Sequence, residues 1–233
     1  MPRIYFFEKI DNFRDVGGYE VPYGFTSENV LLRCATPAQA TQNDLDKCAR
    51  IGIKTVLDLR EDARKESDPS PFKADPRFVV IDKAVEGHGR VPKDYEDGLA
   101  SYFEILSPES PYTIEVFRAI LYAPKPLLIH CNAGKDRTGM FVFLLLLANG
   151  VRFEDANADY MASYPYLEHA TKELVRKIPD FPAVCLTPNV FFLRDFYDRF
   201  LKKYGTIAGY LSKTGLNEEE TAGLCSLFKP QSK

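Results

Sequence analysis

Four short runs of aliphatic or β-branched residues, at positions 30–33, 53–59, 77–81 and 126–130, are bounded by turn formers or by helical spacing. Such runs predict strands. Between the first two, Thr41 stands as a helix N-cap, Leu45, Cys48 and Ala49 follow on one face, and Gly52 stops the pattern; this predicts a short amphipathic helix. Strands alternating with helices predict an α/β fold with a small, mostly parallel central sheet flanked by helices. From Asp136 onward the pattern becomes almost wholly helical. Leu193, Phe196, Tyr197, Phe200, Leu201 and Tyr204 recur at three- and four-residue intervals and predict one buried stripe. A last helix begins with Asn217 as cap and Glu220 three residues on, a capping-box start, and would bury Leu224, Leu227 and Phe228. Segments 61–75, 83–93 and 179–188 are dense in Pro, Gly or charge and predict loops, where substrate selectivity would reside.

The 233 residues suit a single domain over 1–233 with a sizeable core. A formal charge of −3 supplies no basic field for holding nucleic acid or an anionic membrane, so an anionic substrate must be held locally. Cysteines at 34, 48, 131, 185 and 225 are scattered, odd in number and without paired metal-ligand spacing. They predict reduced thiols and no zinc site. The longest apolar run, 140–148, is far short of the roughly 20 residues of a membrane span. A cytoplasmic protein with no integral membrane association, no metal and no cofactor is expected.

Chemistry concentrates in one decamer, His130-Cys131-Asn132-Ala133-Gly134-Lys135-Asp136-Arg137-Thr138-Gly139, placed between the fourth predicted strand and an apolar helix. A tight loop running into a helix N-terminus aims unpaired N–H groups at one point, where the helix dipole also favours negative charge. Gly134 lets the loop turn closely, and Arg137 offers a planar fork to two phosphate oxygens. Asn132 through Arg137 therefore form a predicted phosphate cradle. A free thiol near pKa ~8.5 is only a few per cent ionised at neutral pH, so the same amides, dipole and guanidinium are required to hold Cys131 as a nucleophilic thiolate. In-line attack on a phosphate ester gives a cysteinyl-phosphate and a leaving oxygen that needs a proton. Asp136 is the first candidate for that acid, with Asp82 or Asp94 as substitutes. His130 is expected to organise the loop beneath the sulfur.

These residues resemble the Cys-x5-Arg phosphatases, and the Gly134-Lys135-Asp136-Arg137-Thr138 run is similar to one branch, the atypical tyrosine/serine protein phosphatases. Asn12-Phe13-Arg14-Asp15-Val16-Gly17-Gly18 resembles that branch's N-terminal signature, Asp58-Leu59-Arg60 its strand-end motif, and Tyr204 to Phe228 its helical close. The resemblance implies a tyrosine-phosphatase-like fold with Cys131 as nucleophile, Arg137 as phosphate clamp and Asp136 as acid. It further implies Lys135 as an extra cation and Thr138 as a donor to the sulfur. The implied substrate is phosphotyrosine in a phosphoprotein or phosphopeptide, with phosphoserine and phosphothreonine as further protein substrates. A phosphoinositide or other small phosphate ester is the alternative, and a non-catalytic phosphate-binding module a remote one. Arg14 and Asp15 fit a buried ion pair as well as a substrate contact, Asp58 and Arg60 fit a structural role, and Cys34 or Cys48 are the thiols to ask about beside Cys131.

Overall fold

The computed structural model describes residues 4–86, 92–177 and 189–229. The strands are β1 (Arg14–Asp15), β2 (Glu20–Val21), β3 (Gly24–Phe25), β4 (Leu31–Cys34), β5 (Thr55–Asp58), β6 (Val79–Asp82) and β7 (Leu127–His130). Helices are α1 (Gln42–Ile51), α2 (Asp62–Ser67), α3 (Tyr95–Ile105), α4 (Pro111–Tyr122), α5 (Asp136–Ala148), α6 (Phe153–Met161), α7 (Tyr164–Lys177), α8 (Phe192–Tyr204), α9 (Ile207–Lys213) and α10 (Glu218–Leu224).

Five strands pair in the order β1-β4-β7-β5-β6. Only β1 runs antiparallel to its neighbour; β4, β7, β5 and β6 are mutually parallel. All four residues of β4, β5 and β7 are buried, as expected of parallel strands covered on both faces. The four predicted strands are present with ends displaced by one or two residues. β2 and β3, a separate antiparallel hairpin, have no counterpart among the predicted strands, being two residues each.

Side chains on the two faces of the sheet enter two cores. Ile10, Phe13, Leu32, Cys34, Leu45, Cys48, Val56 and Leu128 fill the smaller one under α1. Leu31, Leu57, Leu127 and Ile129 enter the larger, shared with α3 to α6 and α8 to α10. Cys131 belongs to the larger core and Cys34 and Cys48 to the smaller, and all three are free thiols.

Local signals were followed closely. Thr41 caps α1 in a capping box completed by Asp44, and Gly52 ends the helix in the left-handed conformation at φ 95°. Asn217 and Glu220 form the predicted capping box of α10. In the predicted stripe of α8, Leu193, Phe196, Phe200 and Tyr204 are buried, while Tyr197 and Leu201 pack half-buried against the core. Segment 61–75 departs from the loop expectation: it holds α2 and a 3-10 turn, Pro71–Ala74. Lys65 pairs with Asp62 one turn back, and Arg60 binds the Asp68 carbonyl at the helix end. All of 179–188, Cys185 included, and residues 87–91 of the 83–93 segment lie outside the described residues.

Candidate active site

The decamer leaves the carboxyl end of β7, third of the five strands, where open α/β sheets place their ligands. Residues 131–135 connect β7 to α5, whose first turn holds Asp136, Arg137 and Thr138. Five successive loop carbonyls are tied to surrounding groups. Cys131 O meets His130 Nδ1 at 3.2 Å, and Asn132 O accepts from Thr36 N at 2.8 Å. Ala133 O and Gly134 O accept from Asn12 Nδ2 at 3.0 and 3.3 Å. Arg33 Nη2 donates to Gly134 O at 2.6 Å and to Lys135 O at 3.5 Å. The loop's carbonyls are bound to the scaffold, and α5 starts at Asp136 with Lys135 as an N-cap that makes no side-chain hydrogen bond. A helix start in that condition leaves N–H groups without intrahelical partners, the kind of end that favours an anion.

Two features force this path. Gly134 has φ +64°, and a Cβ there would lie 2.1 Å from the Cys34 carbonyl oxygen, far inside contact distance. Asn12 is itself left-handed at φ 59°, which turns its amide under the loop. Arg137, 5% exposed, lies within reach of two carbonyls past the ends of β5 and β6, Leu59 O at 3.5 Å and Val85 O at 3.4 Å. Its guanidinium is thereby held beside the ends of β5 and β6. Cys131 is 3% exposed, and Thr138 is fully buried with a hydroxyl that has no hydrogen-bond partner among the described residues.

Asp136 sits at the rim, its side chain 45% exposed, yet one of its oxygens is densely bound. Oδ1 accepts from Tyr102 Oη at 2.5 Å and Tyr160 Oη at 3.2 Å, and Lys135 Nζ lies 3.2 Å away. Burial alone would raise the Asp136 pKa, but the Lys135 ammonium and the tyrosine hydroxyls outweigh it, and the carboxyl lies below its usual range. Burial would likewise depress Lys135; the Asp136 charge instead raises its pKa well above the ordinary lysine value. Its Nζ stands 5.5 Å from the Tyr160 ring centre and 4.6 Å from that of Tyr164, a cation–π seat.

Beneath the loop lie two buried charge clusters. Asp159 of α6 binds Arg14 Nε at 2.8 Å and pairs with Arg33, while Arg14 also donates to Asn12 Oδ1 at 2.5 Å. Desolvation opposes ionisation of Asp159, and the two arginines overcome it and lower its pKa. At the end of β5, Asp58 pairs with Arg60 at 2.7 Å, and His130 Nε2 is 3.7 Å from Asp58. Burial lowers the His130 pKa despite that carboxylate, so the imidazole is neutral at pH 7.

Every predicted loop residue falls in this one site. Asp82 and Asp94 do not: Asp82 pairs with Lys73 and Asp94 caps α3. Arg14 makes its ion pair with Asp159, whereas Asp15 accepts from the amides of Gly17 and Asn29. Sequence reading missed Arg33, Asp159, Tyr102, Tyr160 and the loop-binding role of Asn12. Only Asn12 had a local signal, as part of a motif; Arg33, Tyr102 and Tyr160 meet the decamer, and Asp159 meets Arg33, from 24 or more residues away and leave no trace in spacing.

A mostly parallel sheet whose central strand opens into a loop and an uncapped helix start, with a cysteine at the start of the loop and an arginine six residues on, defines the tyrosine-phosphatase-like α/β class. A profile described as the tyrosine phosphatase family matches residues 5–228, and the chain belongs to that family. It is 28% identical over 169 residues to a Cupriavidus necator protein designated a tyrosine-protein phosphatase, covering 67% of this chain and 62% of that one. A tyrosine-protein phosphatase of Nostoc commune is 27% identical over 211 residues, 82% of this chain and 71% of the relative. The triple specificity protein phosphatase PtpB of Mycobacterium tuberculosis is 27% identical over 186 residues, 69% and 66% respectively. The chain thus spans about two thirds of the length of these curated relatives. No helix among the described residues is long and apolar enough to cross a membrane.

Proposed function

We propose that the protein hydrolyses phosphomonoesters through a cysteinyl-phosphate, with phosphotyrosine in cytoplasmic proteins as the substrate and phosphoserine or phosphothreonine as lesser ones. The observation that carries this reading is the row of carbonyls at residues 131–135, all bound to scaffold donors, above an uncapped helix start. Such a loop presents amides to a phosphoryl group whose charge is spread over three equatorial oxygens in the transition state.

In the first step Cys131 Sγ attacks phosphorus. The S–P bond forms as the P–O ester bond breaks, Arg137 holds two equatorial oxygens, and Asp136 gives its proton to the leaving oxygen. Water then attacks phosphorus, the S–P bond breaks, Asp136 takes a proton from that water, and inorganic phosphate departs. The unpartnered Thr138 hydroxyl is the donor that eases departure of the sulfur. The reaction needs no cofactor.

Lys135 raises the phosphoinositide alternative, as a cation at the rim. Its charge is already matched by Asp136 at 3.2 Å and seated against two tyrosine rings, which favours a single-phosphate substrate. The decisive experiment is Cys131→Ser tested on a phosphotyrosine peptide, a phosphoserine peptide and a soluble inositol phosphate. Turnover is expected to fall at least roughly a thousandfold, with phosphopeptide binding kept in titration calorimetry. Near wild-type hydrolysis by the variant sinks the mechanism, and faster wild-type turnover of the inositol phosphate reverses the substrate order.

A further inference from the structure

Asp136 stands in the first turn of α5, its side chain 45% exposed, and its hydrogen bonding is lopsided. Tyr102 Oη, Tyr160 Oη and Lys135 Nζ all address Oδ1, and among the described residues nothing donates to Oδ2. The two hydroxyls come from different helices, Tyr102 from α3 and Tyr160 from α6, and they also contact each other. Both rings are held by packing. Tyr102 and Tyr160 meet edge to face at 6.3 Å, Tyr102 stacks edge-on against Phe192 at 5.1 Å and Phe196 at 6.0 Å, and both residues are at least 94% buried. Tyr160 further fills the space over Gly139, where a Cβ would approach its ring to 2.9 Å.

We propose that Tyr102 and Tyr160 are positioning residues for Asp136: their hydroxyls pin Oδ1 inward, direct Oδ2 at the ester oxygen, and set the pH range over which Asp136 carries the proton it gives away. The inference rests on the reading of Asp136 as the acid. Groups facing this carboxylate are Lys135 from its own loop, Tyr102 from α3 and Tyr160 from α6, with Tyr164 of α7 behind the lysine. Burial keeps the Tyr102 and Tyr160 hydroxyls protonated, their pKa values pushed well above that of a free phenol, so both remain donors throughout the working range.

Donors to a carboxylate favour its charged form. Removing one raises the pKa of Asp136, so the protonated acid persists to higher pH and the alkaline limb of kcat moves upward. Tyr102→Phe and Tyr160→Phe keep ring and volume and delete only the hydroxyl. With phenyl phosphate, a substrate whose poor leaving group depends on the acid, each variant should move the alkaline limb of kcat up by roughly one pH unit, the size of one hydrogen bond to a charged group. KM should stay within about twofold if phosphate binding is untouched. In an Asp136→Asn background the same Tyr→Phe changes should have no further effect on the profile.

An unmoved limb in both variants overturns the proposal, as does an equal shift in the Asp136→Asn background. If Asp136→Asn itself leaves the leaving-group dependence as in the wild type, the acid assignment falls instead, and the two failures are told apart. A carbon-13 titration of aspartate carboxyls in the unmodified protein, with Asp136 assigned by its loss in Asp136→Asn, gives an answer independent of variant folding. Asp136 titrating below the ordinary aspartate value supports the proposal, and titration at or above that value overturns it.

Discussion

At the scale of single residues, the path of the loop depends on Gly134. Its φ of +64° is open to glycine and strained for other residues, and the space its Cβ would need is occupied by the Cys34 backbone, oxygen at 2.1 Å and carbon at 2.5 Å. Backbone in a paired strand cannot swing aside as a flexible side chain can. Gly134→Ala should therefore push the loop off β4, release its carbonyls from Asn12 and Arg33, and cost about 2 kcal/mol or more in stability. The variant should lose phosphate affinity in calorimetry and show a lower urea midpoint. An alanine variant with wild-type phosphate affinity would mean that the loop path has more slack than these distances allow. Arg137 and Cys131 were legible as residues because their chemistry is local, a thiol and a guanidinium in one loop and helix start; Gly134 was legible as a turn, but its contact with Cys34 joins the loop to β4 and has no expression in either segment alone.

Among the elements, α6 does most to hold the loop, although its sequence advertised nothing beyond helical spacing. Adjacent residues on it serve two ends: Asp159 reaches the Arg14 and Arg33 guanidiniums under the loop, and Tyr160 reaches Asp136 above it. Arg33 in turn binds Gly134 O and Lys135 O, and Arg14 holds Asn12, so the helix grips the cradle through two arginines. Breaking a buried ion pair from one side strands the remaining charges. Asp159→Asn keeps the shape but leaves both arginines unneutralised, and should lower the unfolding free energy by roughly 3–5 kcal/mol. It should also lower kcat/KM, because the loop carbonyls lose their anchored donor. Urea denaturation and steady-state kinetics on the same preparation check both, and a change under about 0.5 kcal/mol, the level of an ordinary surface substitution, would remove the cluster from this role. The elements themselves were largely readable, since caps, glycine stops and apolar runs are written in neighbouring positions: α1 starts at its predicted Thr41 cap and α10 carries its predicted capping box. What spacing could not supply is which helix meets which loop, a matter of packing between segments 24 to 145 residues apart.

For the whole molecule, the parallel sheet gathers ionisable groups at one buried edge, and this makes stability depend on pH in a definite direction. Asp58 and Asp159 are fully buried, and Asp136 is bound by three donors; each has a folded pKa below the ordinary 3.8. An acid with a depressed folded pKa contributes stability that is present above its unfolded pKa and lost as pH falls through the folded one. His130 acts with the same sign for another reason. Desolvation lowers its folded pKa from 6.5, so the unfolded chain takes up a proton that the folded protein refuses, and stability starts to fall as pH drops below about 6.5. Acid destabilisation should accordingly come in two stages, a shallow one below about 6.5 and a steeper one below about 4. His130→Asn should flatten the first stage, while Asp159→Asn should weaken the second and leave the first. Urea midpoints between pH 8 and pH 3 read both. Constant stability from pH 7 to pH 5 in the unmodified protein would show that the histidine beside the 131–135 loop accepts its proton while folded, and with it that water reaches this buried floor.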